Sequence, residues 1–107
     1  MKDPGHEALL QKVGKVNGEE QIRELLTVLN NALKGDPVNI PLLEARATLH
    51  TKLQLFGQAI NDYRMILMAE PENKKASVQI EQLTTILRFR NTDIFENPNT
   101  TFDPWLE

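Results

Sequence analysis

The chain has no cysteine, which excludes disulfides, thiol catalysis and Cys-based zinc sites. No run approaches the roughly 20 apolar residues of a membrane span. The opening MKDPGHEALLQK has no apolar signal-peptide core. The 5 glycines stand singly among turns and a helix, so no phosphate-cradling loop is present. Positive charge is not in excess either. Against 15 Asp and Glu there are 12 Lys and Arg, a net −3 that argues against a broad nucleic-acid-binding face. No segment alternates convincingly enough to make a strand. What remains is 107 residues, 40% hydrophobic and 25% charged, the size and composition of one soluble domain with a real core. Met1 mildly favours a chain read from its start over a fragment.

The charge is unevenly placed. Residues 91–107 hold Asp93, Glu96, Asp103 and Glu107 and no base, whereas the rest of the chain is almost neutral. A near-neutral body over 1–90 thus carries an acidic tail over 91–107.

The body reads as helices. Ile22, Leu25, Leu26, Leu29, Ala32 and Leu33 make one apolar stripe on a helix of about three to four turns. Leu9, Leu10, Val13 and Val16 make a shorter stripe before it, with Asn17-Gly18 as the turn between. Gly35-Asp36-Pro37 ends the second helix. Asn39 caps a third, with Pro41 in its first turn, where no amide partner is lost. Leu42, Leu43, Ala45, Ala47, Leu49 and Leu53 carry that helix to about Lys52. A fourth runs from about Phe56 to Ala69, with Ala59, Tyr63, Ile66 and Leu67 inside. After Glu70-Pro71-Glu72, Asn73 caps a fifth helix that holds Ala76, Ile80, Leu83 and Leu87 and ends near Arg90.

Pro37 and Pro71 stand 34 residues apart, and their surroundings match: Leu29 with Tyr63, Leu33 with Leu67, Asn39 with Asn73. A helix–turn–helix unit therefore recurs with a period of 34. On these residues the chain resembles the tetratricopeptide repeat family over about residues 6–90. In the second unit Ala47 and Ala59 take the family's small positions, Phe56 and Tyr63 its aromatic positions, and Pro71 its terminal proline. Small residues let two helices cross closely, and aromatics fill the flanking space. In the first unit Leu25 replaces the small residue, and in the third Ser77 and Glu81 fill slots that are small or apolar in the family. The resemblance implies an all-α fold: a right-handed α-α superhelix of about five antiparallel helices, the last a terminal cap, apolar inside and polar outside, followed by an irregular tail.

Residue by residue, little points to chemistry. His50 reads as a partly buried packing residue, because its neighbours one turn away, Arg46 and Gln54, cannot complete a metal site. His6 lies beside the terminus without a partner. Arg46 and Asp62 are placed to pair across the second hairpin, worth roughly 0 to 1 kcal/mol if exposed. Gly14 costs its helix roughly 1 kcal/mol relative to Ala, and its neighbours suggest an inner-face position.

The resemblance also implies a concave face lined by the first helix of each unit. Thr48, Thr51, Lys52, Lys75 and Gln82 are the candidate groove residues, a mixed polar surface suited to an acidic peptide or partner helix. Some family members hold a peptide's terminal carboxylate with a Lys, Asn and Arg set. That set takes an Asn one residue before the arginine of the third helix, where this chain has Ala45.

The tail NTDIFENPNTTFDPWLE combines acids with Ile94, Phe95, Phe102, Leu106 and Trp105, the only tryptophan. Pro98 and Pro104 forbid a continuous helix. Apolar anchors among acids have the composition of a docking peptide, with Phe95, Phe102 and Trp105 as the anchors. Its destination is the chain's own last helix, a second copy in a homodimer, or another protein. The expectation is a cytoplasmic, non-catalytic protein–protein interaction module of adaptor, scaffold or co-chaperone type. It takes no cofactor and no metal, and binds neither nucleic acid nor membrane. The alternative is a self-assembling structural subunit with the tail as its contact.

Overall fold

The structure, a computed structural model, describes residues 4–95, with side chains over 7–90. Five helices follow one another: α1 (Pro4–Lys15), α2 (Glu19–Gly35), α3 (Ile40–Lys52), α4 (Phe56–Ala69) and α5 (Lys74–Phe95). Among the described residues there is no strand, so the fold is all-α. α2 is longer than its stripe suggests, at 17 residues. α5 runs past Arg90, where the sequence reading ended it, to Phe95.

α3 is the hub. It packs against α4, α2 and α1, while α5 packs on α4. The reason lies in its composition. Leu42, Leu43, Ala45, Ala47 and Leu49 are all buried, so apolar surface points to more than one side. Ala47 and Ala59 are fully buried, where side chains without bulk let α3 and α4 approach closely. Phe56 and Tyr63 are buried alongside. Leu29 and Leu33 from α2, Leu9 and Val13 from α1, and Ala76 and Leu83 from α5 complete a single core. Leu25, in place of a small residue, remains at the core's margin. Gly14 faces open space, not the inside, because Leu9 and Val13 already occupy α1's inner face.

Two turns are built alike. Asn39 Oδ1 accepts from the Leu42 amide at 3.1 Å, and Asn73 Oδ1 accepts from the Ala76 amide at 2.9 Å. Asn39 Nδ2 donates to Asp36 Oδ2 at 3.0 Å, and Asn73 Nδ2 donates to Glu70 Oε1 at 2.9 Å. Each side chain thus satisfies an otherwise orphaned amide at the start of its helix and also ties down the turn before it.

The α3–α4 turn is of a different kind. The Leu55 amide donates to His50 O at 2.8 Å and the Gln54 amide to Thr51 O at 2.9 Å. That pair of bonds is a Schellman motif, which needs a left-handed residue at its centre. Gln54 takes that place with φ 63°, where glycine is usual. Its side chain holds the far helix: Arg90 Nη2 donates to Gln54 Oε1 at 2.9 Å. The same guanidinium stacks over the Phe56 ring, 5.0 Å from its centroid.

Candidate interaction surface

The most connected polar group is Asp62 on α4. Its side chain is 4% exposed, yet both oxygens are used. Arg46 of α3 donates Nε to Oδ1 at 2.9 Å, and its Nη2 stands 2.8 Å from the same oxygen as an ion pair. His50, one turn further along α3, meets Oδ2 with Nδ1 at 2.8 Å. The carboxylate only accepts, so Nδ1 carries the hydrogen and donates. Arg46 also gives Nη1 to Asn30 Oδ1 on α2 at 3.0 Å. One guanidinium therefore bridges three helices.

The expected Arg46–Asp62 pair is present and partly buried, and His50 is its third member. His50 was read as packing alone. The signal for more was the one-turn spacing of Arg46 and His50, which sends both side chains from one face of α3 toward a single acid. With both oxygens occupied by donors, the arrangement satisfies a buried carboxylate and displays none for chemistry.

Of the five groove candidates, Thr48, Thr51 and Lys52 stand on α3, and Lys75 and Gln82 on α5. Thr48 and Thr51 are half-buried on α3. Their hydroxyls donate back to Glu44 O at 3.0 Å and Ala47 O at 2.8 Å. Lys52 reaches the end of α1, where Nζ donates to Val16 O at 2.8 Å and Val13 O at 3.2 Å. It thereby caps carbonyls at the negative end of that helix. Lys75 on α5 stands 3.9 Å from Glu44 on α3 and is largely exposed. Gln82 is exposed one face-repeat further along α5. Of the two groove lysines, Lys52 is thus committed to holding α1 on α3, and Lys75 is the more accessible to a partner.

Tyr63 on α4 is buried at 4% exposed. Burial pushes its phenol above the ordinary 10.0, and the nearby Glu44 and Asp62 carboxylates push it further, while the Thr48 side chain pulls the other way.

α5 departs from a polar cap. Val78 is 47% exposed, Ile86 38% and Phe89 72%. Val78 and Phe89 lie opposite Ala76, Ile80, Leu83 and Leu87, which point to the core, and Ile86 lies at the flank between the two faces. Phe95 closes α5, but its side chain, together with Phe102 and Trp105, lies outside the described residues. A depression of about 460 Å³ lined by Glu70, Pro71, Glu72 and Asn73 sits at the α4–α5 turn and includes none of the five groove candidates in its lining.

Among the described residues no cluster of His, Asp and Glu is placed to hold a metal ion. No described helix is long and apolar enough to cross a membrane. Comparison with protein-family models, curated proteins and solved structures finds no match to this chain.

Proposed function

We propose that the chain is a non-catalytic protein–protein interaction module of adaptor, scaffold or co-chaperone type, built as a tetratricopeptide-like right-handed superhelix. What supports the repeat architecture is the recurrence, 34 residues apart, of the same Asn-capped turn. The observation that carries the function is Lys75 of α5, largely exposed and 3.9 Å from Glu44 of α3. Exposed Gln82 on α5 and half-buried Thr48 and Thr51 on α3 accompany it, and together they offer a cation and an amide to an acidic segment. The same proposal takes the cytoplasm as its location and requires no cofactor and no nucleic acid.

The test is affinity capture with the full chain as bait, followed by the Lys75→Glu/Gln82→Ala variant. Lys52 is left intact because it supports α1. Loss of the captured partner from the variant, sharper at low salt, supports the groove. Equal capture by both proteins at low salt removes it. A second reading, a self-assembling subunit, is favoured by one observation only: the exposed apolar face of α5.

A further inference from the structure

The outer surface of α5 is divided lengthwise. Lys75, Val78, Gln82, Ile86 and Phe89 follow one another at steps of three or four residues, one continuous stripe along the helix. Ser77, Glu81, Thr84 and Arg88 do the same on the neighbouring side and are polar throughout. The stripe thus concentrates the exposed apolar residues of α5, with Phe89 exposed by 72%. From Val78 to Phe89 it runs three turns, about 16 Å. It begins at a cation, Lys75, with Lys74 next in the chain, and both are exposed.

We propose that this stripe binds an acidic amphipathic helix of a partner protein. The partner's apolar residues, spaced over three turns, cover Val78, Ile86 and Phe89, and acids at one end of it meet Lys74 and Lys75. Such a partner deepens, and rests on, the binding function proposed above.

Backbone chemistry selects a helix as the occupant. α5 uses its own amides and carbonyls within itself, and Val78, Ile86 and Phe89 carry no hydrogen-bonding group. The Thr85 hydroxyl beside them donates to Glu81 O at 2.9 Å. An extended segment laid on the stripe buries amides and carbonyls against these side chains, whereas a helix satisfies its own. Two helices also interlock, the side-chain ridges of one in the grooves of the other.

Charge selects the partner. Residues 74–90 carry Lys74, Lys75, Arg88 and Arg90 against Glu81, whereas residues 1–73 hold more acids than bases. α5 is therefore the basic surface of the body. A second copy packed α5 on α5 sets like charge against like, and an acidic helix brings the opposite sign. Glu44 stands 3.9 Å from Lys75 and leaves the ammonium largely exposed to such a helix.

The probe is a fluorescein-labelled synthetic peptide of about five helical turns, with glutamates at one end and leucines at every third or fourth position. Its control is a scrambled peptide of the same composition. In anisotropy titrations of the full chain, the probe is expected to bind saturably and to gain helical circular dichroism, and the control to bind about tenfold more weakly or less. Phe89→Ser is expected to weaken the probe about tenfold. Val78→Ser does so by less, and Lys75→Glu several-fold at low salt and little at high salt. All three sites are exposed, so the cooperative urea transition is expected to be retained. No saturable binding of the probe overturns the helical partner. So does a scrambled peptide that binds as tightly, or binding indifferent to both Phe89→Ser and Val78→Ser. A partner captured by the full chain and lost from the Lys75→Glu/Gln82→Ala variant, while the probe fails, overturns the helix alone and leaves the binding function standing. A dimer of the full chain in sedimentation that Phe89→Ser dissociates assigns the stripe to a second copy and overturns the proposal as well.

Discussion

Asn39 and Asn73, 34 residues apart, cap α3 and α5 with the same pair of side-chain bonds, one forward to an amide and one back to an acid. The repeat is thus written in hydrogen bonds as well as in letters. Replacing either Asn with Ala is expected to cost about 1 kcal/mol, and with Gly only a few tenths. Urea unfolding of the four single variants checks this. Equal losses for Ala at both sites are expected if the turns are equivalent.

Asp62→Ala is expected to be far more costly, at about 3 to 5 kcal/mol, because it strands Arg46 beside a buried void and removes the acceptor of His50. His50→Ala alone is expected to cost less, since Arg46 still pairs the carboxylate. A double-mutant cycle on His50 and Asp62 measures their coupling. A cycle that closes to zero means the 2.8 Å contact contributes nothing.

Gln54 combines a left-handed backbone with a side-chain bond to Arg90. Ala at this site loses the bond and keeps the strain; Gly loses the bond and relieves it. Gln54→Gly is therefore expected to be more stable than Gln54→Ala by about 1 kcal/mol. The two urea midpoints decide it, and an order reversed, with Ala above Gly, contradicts a strained centre.

Tyr63 sets a pH limit. Its folded-state pKa is raised, so the fold prefers the neutral phenol. That contribution is fully present below the unfolded value near 10.0 and is lost as pH rises through the folded one. Compared with Tyr63→Phe, the unaltered chain is expected to lose stability more steeply above that pH and to match it in slope below. Tyr63 is the sole tyrosine, so tyrosinate absorbance titrates this site alone.

Features governed by neighbours in sequence were legible in it. The apolar spacing of α2, the Asn39-x-Pro41 start of α3 and the 34-residue recurrence all follow from local rules, and the helices form where those rules place them. Features that need the crossing of two helices were less so. The pairing of Arg46 with Asp62 was readable, yet its burial and the approach of His50 depend on the register of α3 on α4. Lys52 looked like a free groove cation because its acceptors, Val13 O and Val16 O, lie 39 and 36 residues away. The end of α5 was misplaced for another reason. Asn91, Thr92 and Asp93 are poor helix formers, but each costs only about 0.7 kcal/mol or less, which propagation from a formed helix offsets.

Helices packed in succession can open one at a time, from the ends of the chain inward. The guanidinium of Arg46, shared by Asn30 and Asp62, opposes that order in the middle of this chain. Peeling α3 from α4 leaves a buried carboxylate without its donors, and α2 is fastened to the same side chain. The central three helices are consequently expected to open as one cooperative block. Their slowest-exchanging amides then share a single opening free energy, while the ends of α1 and α5 fray independently ahead of them.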